Sequence, residues 1–273
     1  MNRILASART EFIIALRNRW ITIAVAMMVL FSLVLSAAGS APTGALGADK
    51  LSVTVASLTS LAVYLVPLVA LLMSFDAIAG EIERGTLSLV LTYPVSRGAL
   101  ILGKFIAHLA ILAIAVTAGY GVAAIAAMAT DTNAMQGMPA LLRLFWTSIL
   151  LGATFLGIGY GISAFARRPG AAAGLVIGLW LVLIVLYDLG LLAAIVADDG
   201  GTFTTRYFPW LLLANPADAF RIYNLAVSDA TAAAAGLTGA ANSISPLDAL
   251  ISILVWPIAA TTLAWLTFRR VTP

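Results

Sequence analysis

The chain has 273 residues, 62% of them hydrophobic and only 10% charged, with a formal net charge of +3, where an average soluble domain is roughly one-quarter charged. Such a composition belongs in lipid. There is no cysteine and a single histidine, which excludes disulfides, thiolate metal sites, cysteine nucleophiles and a histidine-based metal cluster, and the small positive balance is explained by membrane topology rather than by nucleic acid.

Residues 1–19 lack the small-residue cleavage site of a secretory leader. Ile4, Leu5, Ala8, Phe12, Ala15 and Leu16 recur at three- and four-residue spacing, with Arg3, Arg9, Arg17 and Arg19 mostly off that stripe. The pattern predicts an amphipathic helix along the membrane surface, or else a charged flank of the first span. Six stretches then reach the ~20 apolar residues a spanning helix needs: about 20–39, 54–75, 99–128, 141–166, 171–197 and 248–268. An even count puts both termini on one side. With them lie Arg3, Arg9, Arg17, Arg19, Arg84, Arg97, Lys104, Arg167, Arg168, Arg269 and Arg270, whereas Lys50, Arg143, Arg206 and Arg221 fall opposite. The positive-inside rule makes the terminal side cytoplasmic, so residues 76–98 are expected in the cytoplasm and 198–247 outside.

Segment 76–98 holds two of the chain's three glutamates. Ile78, Ile82 and Leu89 can share a buried face while Glu81, Glu83 and Arg84 point to water, predicting a short helix across the mouth of the bundle. Gly85 breaks it, Thr86 caps a second short turn, Pro94 biases Tyr93 toward extended backbone, and Ser96 caps span three. Glu81 and Glu83, two apart on a helix, diverge and make a poor acid–base pair.

Further along, His108 reads as a satisfied helix contact. Met128, Met135 and Met138 cluster around the loop after span three and are candidate copper contacts through their soft thioethers, without supporting ligands nearby. Gly157 and Gly161 on span four, and Gly170, Gly174 and Gly178 on span five, let helices approach closely; packing within the subunit is the expected use, a dimer seam the alternative. Pro67 and Pro257 interrupt spans two and six. Asp188 can pair or snorkel. Outside, Asn215-Pro216 with Asp218 is a helix start, and Phe220, Tyr223 and Val227 form an apolar stripe; with Tyr207, Phe208 and Trp210 this stretch is expected to lie in the interface or receive a partner, with Trp210, Asn215, Phe220, Arg221 and Tyr223 as the docking residues. Ser245-Pro246 with Asp248 repeats the capping pattern before span six.

The run Asp76-Ala77-Ile78-Ala79-Gly80-Glu81-Ile82-Glu83-Arg84-Gly85-Thr86-Leu87, continuing to Tyr93-Pro94-Val95-Ser96-Arg97, resembles the signature of ABC-2 type permeases. With Gly103-Lys104-Phe105 and Asn215-Pro216-Ala217-Asp218-Ala219-Phe220-Arg221 included, the run looks most like members of that family that serve nitrous-oxide reductase maturation. The resemblance implies an all-α polytopic fold of six transmembrane helices with an N-terminal amphipathic helix and a cytoplasmic coupling helix, arranged as in type V exporters and forming a single transmembrane domain, 1–273, in the bacterial inner membrane. It also implies a homodimer on two cytoplasmic ATPase subunits, with Asp76, Glu81, Glu83, Arg84, Gly85 and Thr86 at the ATPase groove and a copper-associated periplasmic protein on the outer face. ATP and magnesium then belong to the partner, copper to the wider complex, and no cofactor to this chain, which is not itself an enzyme. The role the resemblance implies is to couple ATP hydrolysis to transport or to motion across the membrane for copper-site maturation. The alternatives are an ABC-2 exporter of an unrelated small molecule, lipid or ion, and a gradient-driven transporter or channel. An intramembrane hydrolase is weaker still, with neither a HExxH motif nor paired aspartates.

Overall fold

The computed structural model describes residues 3–16, 19–38, 49–93, 95–226 and 244–271. Pro94, Val227 and the stretch 227–243 of the outer segment lie outside the described residues. Twelve α-helices follow one another in the described part: α1 (Arg3–Leu16), α2 (Arg19–Ala38), α3 (Lys50–Ser74), α4 (Asp76–Glu83), α5 (Thr86–Thr92), α6 (Arg97–Met128), α7 (Met138–Ala166), α8 (Pro169–Trp180), α9 (Tyr187–Asp198), α10 (Phe208–Ala214), α11 (Pro216–Ala226) and α12 (Pro246–Arg269). Wide π-helical turns at Leu181–Leu186 and Phe203–Tyr207 join α8 to α9 and lead into α10.

Five helical stretches are long and apolar enough to cross a membrane, namely Lys50–Glu83, Arg97–Met128, Ala134–Ala166, Pro169–Asp198 and Pro246–Arg269, together with a shorter apolar stretch, Val25–Val34. The last lies inside α2, where the first span is expected. Polar caps set where the helices begin. Asp49 Oδ1 accepts from the Ser52 amide at 2.9 Å, Ser96 Oγ from Ala99 at 3.2 Å, and Ser245 Oγ from Leu247 at 3.2 Å, each satisfying an amide the first turn leaves open. The Ser96 and Ser245 caps are those the sequence predicts.

Helix α7 is the axis of the bundle. Leu144, Leu151, Phe155 and Tyr160 are buried along it, and it packs against α3 and α12. Lipid tails are as apolar as leucine, so close backbone approach rather than water exclusion holds such helices together. At Gly157 a Cβ would lie 2.8 Å from the Ala260 carbonyl carbon, so α12 can seat there only on glycine. The same expectation fails on span five. Among the described residues nothing lies within 4 Å of a Cβ at Gly170, Gly174 or Gly178, because α8 turns Ala172 and Val176 inward instead. The glycine face is open to the other described helices, which do not use it for packing.

The chain's two ends meet at one end of the bundle. Arg97 Nη1 donates to the carbonyls of Phe268, Arg269 and Val271, which cap the last turn of α12, and α1 lies against α6 beside it. Helix α1 buries Ala8 and Ala15, so it is a packed element rather than a mere flank of the first span. At the opposite end the Asp131 carboxylate accepts the amides of Lys50 and Asn133, both at 2.9 Å, and these bonds hold its carboxyl below the usual range.

Helices α10 and α11, expected to lie in the interface or to receive a partner, are packed among the other helices. Asn215 Nδ2 donates to the Leu183 carbonyl at 2.7 Å, a point about 20 Å from the end of α9 at ~1.5 Å per residue. Ser252 Oγ reaches the Leu213 carbonyl at 2.6 Å, and Asn224 Nδ2 bonds Thr147 Oγ1 at 3.0 Å. The segment therefore folds back among α3, α7, α9 and α12. Irregular backbone at that depth persists only where protein encloses it, and here the asparagine satisfies a carbonyl in the π-helical turn.

Candidate functional site

Helix α4 follows α3 through Phe75, which keeps helical dihedrals (φ −61°, ψ −35°). The amides of Ile78 and Ala79 donate to Ser163 Oγ at 3.1 and 2.9 Å, which inserts a side chain from the end of α7 into the start of α4. Ile78 and Ala79 are buried there. On the outer side, Asp76 and Arg84 pair at 3.4 Å across Gly80, whose Cβ would collide with both side chains. Gly85 then takes φ 69°, the left-handed region that glycine enters without penalty, and the chain re-enters helix as α5.

Three expectations about this segment are corrected. Glu81 does not point to water: its Oε1 accepts from Lys104 Nζ at 2.7 Å and its side chain is 15% exposed. Lys104, 3% exposed, also binds Glu11 of α1, so one ammonium joins α1, α4 and α6. Leu89 is not in the buried face either. It is 64% exposed, and Leu87 takes the buried place, because the break at Gly85 resets the helical phase. The capping by Thr86 is also absent: its hydroxyl donates to the Glu81 carbonyl at 3.3 Å, and α5 starts on Gly85 without a side-chain cap.

What remains outward is Glu83, Arg84, Gly85 and Thr86, with Leu89 and Tyr93, the latter 68% exposed. Leu89 and Tyr93 are four apart, and an i,i+4 reading of α5 was the signal that could have found them. Gly103 completes the seat of this end: a Cβ there would be 2.6 Å from Ser7 Oγ and 3.1 Å from the Ala8 amide, so only glycine lets α1 press onto α6 beside Lys104. His108 is a satisfied contact, sharing a 2.6 Å hydrogen bond through Nδ1 with the Tyr160 hydroxyl.

At the other end the expected docking residues separate. Asn215 and Phe220 are 2% and 0% exposed and belong to the core, which overturns their outer docking role; the fold-back of α11 is the cause. Arg221 spends both terminal nitrogens on Asp188 Oδ2 at 3.0 Å and Nη1 also reaches Asp218 Oδ1 at 3.3 Å. Tyr223 meets Trp146 edge-on with ring centroids 5.8 Å apart. Trp210 alone of the five stands open, at 69%. Burial pushes the Asp218 carboxyl up to about 7, and Asp188 beside it adds to the effect against the opposing pull of Arg221. Its Oδ2 has no hydrogen-bond partner among the described residues.

Met128 and Met138 pack against the core, whereas Met135 is 64% exposed. Among the described residues no group of three or more histidine, aspartate or glutamate side chains is placed to hold a metal.

The described helices thus form a bundle of membrane-length elements with one short helix pair, α4 and α5, tied to α1, α6 and α7. The family model for ABC-2 family transporter proteins matches residues 5–272. The chain belongs to the ABC-2 transporter family. Two relatives, each described as a probable ABC transporter permease protein NosY, align along nearly the whole length of this permease. The one from Pseudomonas aeruginosa is 43% identical over 268 residues, 96% of each chain. The one from Stutzerimonas stutzeri is 39% identical over 279 residues, 99% of each chain. The protein is thus a membrane permease subunit of an ABC transporter, and the gradient-driven alternative falls.

Proposed function

We propose that this permease works as a homodimer in the bacterial inner membrane, with both termini in the cytoplasm, bound to two copies of a cytoplasmic NosF-like ABC ATPase and to a periplasmic NosD-like protein, in the copper-site maturation of nitrous-oxide reductase. One observation carries the reading: α4 and α5 are fixed to α7 through Ser163 and to α1 and α6 through Lys104, yet present Glu83, Arg84, Thr86, Leu89 and Tyr93 outward. A partner gripping those residues would move three helices at once, and the exposed side chains offer both charge-assisted bonds and apolar anchors. The excess of lysine and arginine on the same side supports a cytoplasmic location. The open face of α8 supports a homodimer. Likeness to the two NosY permeases supports the pathway, in which the chain passes motion, or a copper- or sulfur-related cargo, across the membrane.

Co-purification tests the docking element. Leu89→Glu with Tyr93→Ala should release the ATPase while the permease stays folded; an ATPase that still co-purifies at full yield refutes the assignment of this surface. Deleting the subunit should leave nitrous-oxide reductase without its copper, and normal copper loading would refute the pathway while leaving the ATPase result standing.

A further inference from the structure

Between α6 and α12, near the end where the termini meet, lies a cavity of about 600 Å³ lined by Gly98, Leu102, Phe105, Tyr160, Thr262 and Trp265 among others. It exists because α12 packs along α7 and leaves α6, so the ring of Tyr160 on α7 forms a floor between two splayed helices. The walls ask for no polar partner. Tyr160 spends its hydroxyl on His108, and the Thr261 and Thr262 hydroxyls donate to the carbonyls of Pro257 and Ile258 in their own helix, each at 2.7 Å. Leu102 and Trp265 are 44% and 39% exposed, so the cleft opens sideways, toward where lipid would lie.

The mouth differs from the walls. Arg269 lies over the Trp265 ring, 4.5 Å from its centre; Arg270 is exposed at the end of α12; and Arg97, next to Gly98, is bonded through Nη1 to backbone carbonyls. None of the three is in an ion pair among the described residues. From Gly98 to Phe105 the cleft runs about 10 Å along α6 at ~1.5 Å per residue, well within one leaflet of a ~30 Å hydrocarbon core. An apolar slot within a leaflet, headed by guanidinium groups and an interfacial tryptophan, matches one class of molecule in shape and charge.

We propose that the cleft holds an acyl chain of an anionic phospholipid, with its phosphate at Arg269 and Arg270 and Arg97 beside it. Cations at the membrane surface favour anionic over zwitterionic headgroups, and a second copy of this chain would bring the same cations to the same place. Trp265 makes the occupant visible. In nanodiscs carrying the full chain, phosphatidylglycerol brominated along its acyl chain should quench the Trp265 fluorescence, isolated by subtracting Trp265→Phe, at about tenfold lower mole fraction than brominated phosphatidylcholine. Arg269→Gln with Arg270→Gln should erase that preference. Thr262→Phe, at an exposed position on the wall, should fill the slot and abolish Trp265 quenching by both lipids. Native mass spectrometry should show phosphatidylglycerol retained by the parent and lost from Thr262→Phe. Equal quenching by the two lipids would reduce the cleft to ordinary lipid contact, no quenching by either would mean that protein covers it, and quenching unchanged in Thr262→Phe would place the lipid elsewhere; each overturns the proposal.

Discussion

Single side chains carry the polar connections of this bundle. Lys104 is the clearest case, since its ammonium is buried between Glu11 and Glu81. Removing one partner from a buried ion cluster leaves uncompensated charge and costs about 3–5 kcal/mol. Lys104→Met should therefore lower the melting temperature sharply in detergent and free α1 from α6, while the triple change Lys104→Met, Glu11→Gln, Glu81→Gln should recover most of the loss. Glu81→Gln alone should retain the ATPase, since that side chain faces inward; loss of the ATPase with an unchanged melting temperature would return Glu81 to the docking surface. Asp218 gives a pH signature. Its folded carboxyl holds a proton up to about 7, whereas an unfolded aspartate releases it near ~3.9. The folded form thus binds more protons in that window, so stability is greatest below the unfolded value and falls as pH rises through the folded one. Melting followed from pH 5 to 8 should show this fall in the parent and a flatter profile in Asp218→Asn.

At the scale of elements, the α4–α5 segment is held by bonds its own stretch of sequence does not contain. Ser163→Ala deprives two buried amides of their acceptor, and an orphaned buried donor costs about 1–3 kcal/mol; the expected result is a lower melting temperature and faster proteolysis near Phe75. Gly85→Ala forces a side chain into the left-handed region at about 1–2 kcal/mol, and should disturb the same helix pair without touching Ser163. Apolar spans, the Ser96 and Ser245 caps and the break at Gly85 were legible in the sequence, because hydropathy, serine before a helix and glycine at a turn act locally. The inward turn of Glu81 was not, since its partner Lys104 lies 23 residues away and the shared Glu11 lies 93 from Lys104. Nor was the burial of Asn215 and Phe220. A helix start followed by an apolar stripe describes an interfacial helix and a helix folded into a bundle equally well, and only the carbonyl of Leu183 in the π-helical turn, waiting for a donor, separates the two.

For the whole molecule, the uneven burial of the spans bears on assembly. In α7 67% of the most apolar window is buried within the chain, against 11% in the stretch Pro169–Asp198, so span five meets something other than this subunit along most of its surface. Lipid could supply that contact, but glycines every four residues with open space before them are suited to a second helix backbone. Ile177 and Leu181 flank Gly174 and Gly178 on the helix and are 52% and 43% exposed. The chain has no cysteine, so Ile177→Cys introduces a single thiol, and a disulfide forms only where two Cα atoms come within ~7 Å. If the Gly170 face is the seam, oxidation in membranes should convert most of the variant to a disulfide-linked dimer that retains the ATPase, whereas a cysteine at Leu254, exposed on α12, should stay monomeric. A monomeric Ile177→Cys beside a cross-linked Leu254→Cys would move the seam to α12, close the lipid cleft from the side, and leave the glycine face to the bilayer.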